Sequence, residues 1–281
     1  MAREDVLVSA AELSRRLAGD TPPVVLDVRW QLTEPDGRAA FEAGHIPGAV
    51  YVSLEDELTD HSVPGRGRHP LPSGTRVQDC ARRWGLREGG QVVVYDDWNR
   101  AGSARAWWVL TAAGIPGVRI LDGGLGAWRA AGGALETGVA QPGAGDVTVA
   151  HDDLYAGALP TLTAEQVHTV RLLDARAPER FAGRVEPVDP VAGHIPGAVN
   201  LPSTTLLADD GRFLAGAQLA ALAGPATRTG VYCGSGVTAA VVVAALASVG
   251  VDAALFPGSW SQWCADPDRA VATGGQDGYP A

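Results

Sequence analysis

Seven consecutive residues occur twice in this chain. Gly44-His45-Ile46-Pro47-Gly48-Ala49-Val50 returns letter for letter as Gly193-His194-Ile195-Pro196-Gly197-Ala198-Val199, 149 positions later in a chain of 281 residues. A repeat at about half the chain length marks a duplicated domain, and the length itself suits roughly two domains. The flanks agree in order. Val24-Val25-Leu26-Asp27-Val28-Arg29 and Phe41 precede the first copy; Leu172-Leu173-Asp174-Ala175-Arg176 and Phe181 precede the second. Ser9-Ala10-Ala11-Glu12 and Thr163-Ala164-Glu165-Gln166 both have capping-box form, so each predicts a short helix before the strand that ends in Asp. Gln91–Asp96 and Thr229–Cys233 read as paired apolar strands, each followed by a small-residue loop and an apolar helix (Ala104 to Ala113; Thr238 to Ser248). A further strand closes each half, Val118–Leu121 and Ala253–Phe256, with Trp128 and Trp263 at equivalent offsets beyond. Strands alternating with helices predict an α/β protein with one parallel sheet per half, helices on both faces. The Gly- and Pro-rich stretch 137–160 is the expected linker between domains 1–136 and 161–281.

Charge and composition narrow the chemistry. Thirty-two acidic against 22 basic residues give a formal charge of −10, which repels phosphate backbones and argues against nucleic acid as a partner. Every basic residue is Arg. Without lysine there is no Schiff base, no pyridoxal-phosphate chemistry and no P-loop or kinase lysine. Arginine, permanently charged and multidentate, suits the gripping of small anions. Three cysteines, none in CxxC spacing, exclude a disulfide framework, and the six histidines show no paired metal spacing. The N-terminal residues carry no apolar signal region, and the apolar run Thr238–Leu255 is interrupted by Ser248, Gly250 and Asp252. These features predict a cytoplasmic protein without membrane partners. The eight tryptophans are expected in cores and at the domain interface.

The halves differ where open α/β sheets collect ligands, at the carboxyl ends of strands. Asp96 ends the strand in the first half, Cys233 in the second. Cys233 leads into Gly234-Ser235-Gly236-Val237-Thr238-Ala239-Ala240. Gly234 and Gly236 are expected to take backbone angles closed to other residues and to turn consecutive N–H groups toward one point, next to a helix N-terminus. Such a cradle favours a thiolate, and would equally stabilise a terminal persulfide anion. Cys80 and Cys264 lack a cradle and are expected to be structural.

The paired GHIPGAV segments, the Asp-x-Arg strand ends and the loop Cys233–Ala239 together resemble the tandem-domain rhodanese family of sulfurtransferases, from about Val8 to Trp263. The loop is similar to the 3-mercaptopyruvate branch; the thiosulfate branch has Arg-Lys after its cysteine. The resemblance implies two rhodanese-like domains, the first without the cysteine, and sulfur transfer through a Cys233 persulfide with no cofactor and no metal. The donor would be a small anion, 3-mercaptopyruvate or thiosulfate. The acceptor would be cyanide, a small thiol or a thioredoxin-like protein. Arg180 matches the family's substrate arginine. Arg176 is open to a substrate role or to a structural pairing with Asp174, since Arg29 repeats it beside Asp27. The family's second substrate arginine follows a Glu-Pro pair, but Glu186-Pro187 is followed here by Val188 and Asp189, leaving Arg184 as a stand-in. His69 matches the family histidine and Glu55 stands where an Asp is usual, with Ser235 completing a proton chain. The amides of Gly234, Gly236, Val237 and Thr238 would hold the donor. His45 and His194, present in both halves, are expected to be structural. A cysteine phosphatase would need an arginine about six residues after the nucleophile, where Ala239 stands. A non-catalytic sulfur carrier or binding module is the rival of another class.

Overall fold

The computed structural model describes residues 1–140, 142–224 and 228–275. Its strands form two parallel sheets. The first has the order β1-β5-β4-β2-β3, from β1 (Leu7–Val8), β2 (Val24–Asp27), β3 (Val50–Tyr51), β4 (Val92–Tyr95) and β5 (Val118–Leu121). The second has the order β7-β6-β8-β9, from β6 (Arg171–Asp174), β7 (Val199–Asn200), β8 (Thr229–Tyr232) and β9 (Ala253–Leu255). β4 and β8 are central and wholly buried, as a parallel strand covered on both faces requires.

Two helices join the halves. Ala239–Ala247 is buried at every residue, and Ala101–Ala112 at every residue but Thr111. Helices buried on every side have no solvent face, so they pack on each other and merge both halves into one core that includes Trp107 and Trp108. The segment after residue 136 is pinned along the first domain: Gly145 donates to Arg82, Ala150 to Ala113, and Tyr155 accepts from the Leu71 amide.

The duplication is reproduced down to single bonds. His45 Nδ1 lies 2.9 Å from the Phe41 carbonyl with its ring stacked on Phe41; His194 does the same with Phe181 at 2.7 Å. Tyr95 and Tyr232 hydroxyls accept from the Ile46 and Ile195 amides. Arg29 clasps Asp27 as Arg176 clasps Asp174. The symmetry fails at the second capping box. Ser9 caps the helix Ala10–Leu17, but Thr163 begins only a turn and the 3-10 segment Val167–Thr169. Val170 leads directly into β6, which leaves room for a single turn, and the β-branched residues there resist helix. A fifth strand is likewise reduced to one bridge, Thr161 beside Leu255.

Among the described residues no helix is long and apolar enough to cross a membrane.

Candidate functional site

Cys233 sits at the carboxyl end of β8, and its position is fixed from both sides. Its amide donates to Ser259 Oγ at 3.1 Å, and its carbonyl accepts from the Trp260 amide at 2.9 Å. The Gly236 amide turns back to donate to Cys233 Sγ at 3.1 Å. That turn needs glycine: Gly236 has φ +80°, and a β-carbon there would come within 2.4 Å of the Pro257 carbonyl oxygen. Gly234 corrects the expectation of two left-handed glycines, because its φ lies outside the left-handed region; instead, a β-carbon there would press on the guanidinium groups of Arg68 and Arg180. The Gly234, Ser235, Val237 and Thr238 amides have no acceptor among the described residues, so four more donors remain on the loop. Val237 is buried and Thr238 half-buried at the start of the helix Ala239–Ala247.

The first domain supplies the groups that face this loop. His69 Nδ1 lies 2.7 Å from Ser235 Oγ, and its Nε2 lies 3.1 Å from Glu55 Oε1. Glu55 rides on the short helix Leu54–Glu57, capped by Ser53, and accepts a further bond from Trp30 Nε1 at 2.6 Å. Burial works against charge on Glu55, but hydrogen bonds from His69 and Trp30 and the neighbouring histidines bring its carboxyl down to about 2. Burial also pushes the His69 imidazolium below its ordinary range, opposed by Glu55 and reinforced by the charges of Arg105 and Arg68. An ionised Glu55 accepts the Nε2 proton, leaving Nδ1 to accept from the Ser235 hydroxyl.

Arg180 donates from Nε and Nη2 to Glu186 at 3.2 and 2.7 Å, and from Nη2 to Asp189 at 3.4 Å, leaving Nη1 without a partner among the described residues. Arg176 is spent. It binds both oxygens of Asp174 and the Gly193 carbonyl, pairs with Glu186, lies over Trp260, and keeps only 1% of its side chain exposed. Arg176 thus makes with Asp174 the pairing that Arg29 makes with Asp27. Arg184 is exposed, and its side chain makes no hydrogen bond or ion pair among the described residues.

Two arginines at this site were not singled out from the sequence. Arg68 pairs with Asp189 at 2.5 Å. Arg105, fully buried in the helix Ala101–Ala112, donates to the Leu58 and His69 carbonyls at 3.0 and 3.1 Å and reaches the Gly236 carbonyl at 3.5 Å. It has no carboxylate partner among the described residues, and burial pulls its guanidinium down to about 10. Its signal was present as a lone charge within an otherwise apolar helix. Cys80 and Cys264 are buried away from such a cradle, and burial raises both thiols.

Comparison with known proteins agrees with this architecture. The rhodanese-like domain model matches residues 9–131 and 160–266. The chain is 64% identical over 280 residues to SseB of Mycobacterium tuberculosis, provisionally named a thiosulfate sulfurtransferase, covering 97% of this chain and 99% of SseB. It is 36% identical to the 3-mercaptopyruvate sulfurtransferase of Escherichia coli K12, covering 90% and 93%. The crystal structure of SseA from Escherichia coli, described as having the rhodanese fold of 3-mercaptopyruvate enzymes, superimposes with a TM-score of 0.78 at 32% identity, over 91% of this chain and 98% of that one. With two matching domains and full-length relatives of one activity class, the chain belongs to the rhodanese family and is a sulfurtransferase of the thiosulfate or 3-mercaptopyruvate type.

Proposed function

We propose that Cys233 is the nucleophile and that sulfur passes through it in two steps. The Cys233 thiolate attacks the outer sulfur of the donor. With thiosulfate the S–S bond breaks and sulfite leaves. With 3-mercaptopyruvate the C–S bond breaks, and the proton of the donor thiol ends on the enolate carbon to give pyruvate. Either way Cys233 holds a persulfide anion, which a thiol, cyanide or the dithiol of a thioredoxin-like protein then discharges. Arg180 binds the donor anion through its open edge, Ser235 and His69 relay the proton to the enolate, and Glu55 fixes the His69 tautomer. The loop amides of Gly236, Val237 and Thr238 serve the charge on sulfur. No step needs a cofactor or metal, and the reduced thiols suit a cytoplasmic setting. In this division of labour residues 161–281 carry the nucleophile, residues 1–136 the proton relay, and 137–160 the connection.

One observation carries the reading: a buried cysteine with an amide on its sulfur lies in a loop whose serine meets a His–Glu pair from the other domain. A sulfur carrier would need the cradle but not the relay. Mass spectrometry after donor exposure is expected to show one added sulfur on the Cys233 peptide. Sustained release of pyruvate or sulfite separates an enzyme from a carrier that loads once. Turnover with an unmodified Cys233 overturns the assignment.

A further inference from the structure

We propose that Arg68 is a second donor-binding residue, so that the two domains grip the donor anion jointly, and that Asp189 sets how strongly they do so. The inference rests on Cys233 being the nucleophile. A β-carbon placed on Gly234, the residue after Cys233, would lie 3.2 Å from Arg68 Nη2 and 3.4 and 3.5 Å from Arg180 Nη1 and Nη2. Two guanidinium groups from different domains thus converge beside the nucleophile.

Like charges do not gather without a cause, and here the fold supplies it. Asp189, whose side chain is only 4% exposed, takes Arg68 on Oδ1 and Arg180 on Oδ2. The Arg68 backbone is anchored as well. Its amide donates to Ser261 Oγ at 3.0 Å, and Gly67, at φ +85°, lies so close to Gly258 that a β-carbon would come within 2.4 Å of that carbonyl oxygen. Donors are left over on both arginines. Arg68 Nε is buried without a partner, and neither Arg68 Nη2 nor Arg180 Nη1 makes a hydrogen bond among the described residues. Two planar cations with spare N–H groups close to one point suit a small carboxylate or sulfonate-type anion. Arg184, the stand-in suggested by sequence, is exposed and unengaged, while Arg68 arrives from the other half of the chain. Asp189 shares both arginines and competes with the incoming anion, so it tempers the grip.

The experiment measures alkylation of Cys233 by iodoacetate, an anion, and by iodoacetamide, its neutral near-isostere, each followed at the Cys233 peptide by mass spectrometry in the full-length protein. Arg68→Gln is expected to lower the iodoacetate-to-iodoacetamide rate ratio about tenfold and to raise the KM for both donors, with Arg180→Gln as the reference. Asp189→Asn is expected to raise the ratio, an effect that a damaged fold does not produce. A wild-type ratio in Arg68→Gln overturns the proposal. If the iodoacetamide rate itself rises in that variant, the packing has opened and Asp189→Asn decides, an unchanged or lowered ratio there overturning it. Charge discrimination without sulfur loading would sink the two-step transfer and leave the joint grip standing; loading with an unchanged ratio does the reverse.

Discussion

After β4, the Asp96 carboxylate accepts from the amides of Trp98, Arg100 and Ser103 and from the Ser103 hydroxyl, and pairs with the Arg100 side chain at 2.8 Å. After β8, the Cys233 sulfur accepts, among the described residues, from the Gly236 amide alone, and neighbouring amides have no acceptor there. The two loops leave equivalent strands of equivalent sheets. In the first, an internal carboxylate saturates the donors and Arg100, at φ 66°, folds over it. In the second, two glycines and a thiol leave the donors for an outside anion. A strand-end nest holding its own carboxylate is closed to an outside anion, and a duplicated chain can keep one nest filled for stability while the other works.

The comparison predicts its largest effect at the nucleophile. Cys233→Ser is expected to reduce transfer from either donor to below about a thousandth, because no other sulfur lies in the cradle. Steady-state assays with both donors check this, with Cys80→Ser as a control expected to keep transfer within about twofold. Next is Arg180→Ala, expected to cost roughly 2–3 kcal/mol in kcat/KM, the worth of a charge-assisted contact. The aligned first-half residue is Ala40, one before Phe41 as Arg180 is one before Phe181, so the filled loop lacks this arginine too.

What the sequence could show follows from which contacts are local. The strands, the buried helices and the position of Cys233 were legible because periodicity and a letter-for-letter repeat are near-neighbour properties. The His69–Ser235 contact joins residues 166 apart and was reached only through resemblance. Arg105 reaches Gly236 across 131 positions, and Arg68 meets its Asp189 partner across 121; nothing in their immediate surroundings names those partners. Gly234 was misread for the opposite reason. Its neighbours suggested a left-handed angle, but what it provides is space for two side chains from elsewhere.

A smaller effect is expected at Glu55. Glu55→Gln removes the anion that directs the His69 proton, and transfer from 3-mercaptopyruvate is expected to fall about 10- to 100-fold. Transfer from thiosulfate should fall less, because sulfite leaves without a proton on carbon. The relay needs neutral His69. Burial holds this imidazole below its ordinary value of 6.5, so mercaptopyruvate activity should persist as pH falls through 6.5 and fail only below it. In Glu55→Gln, the carboxylate that opposes burial is gone, and the acid limb should move still lower. Paired pH–rate profiles for the two donors check both statements; an equal loss with each donor would remove Glu55 and His69 from the proton path.

The smallest expected effect tests the filled loop itself. Asp96→Cys puts a thiol at the end of β4, the counterpart of Cys233, yet no persulfide is expected at that position. In the Cys233→Ser background, transfer should stay at its residual level. Arg100 would keep its left-handed backbone and its bond to the Trp98 carbonyl at 2.7 Å, covering the new sulfur, and Ala40 offers no grip on a donor. Breaking the buried Asp96–Arg100 pair should cost about 3–5 kcal/mol of stability, read as a lowered Tm. Sulfur loading at position 96 in that variant would mean that the cysteine alone makes the site and that the arginines and the partner-domain relay are dispensable. A lowered Tm with no loading would mean that the first loop is held together by the carboxylate that keeps it inert.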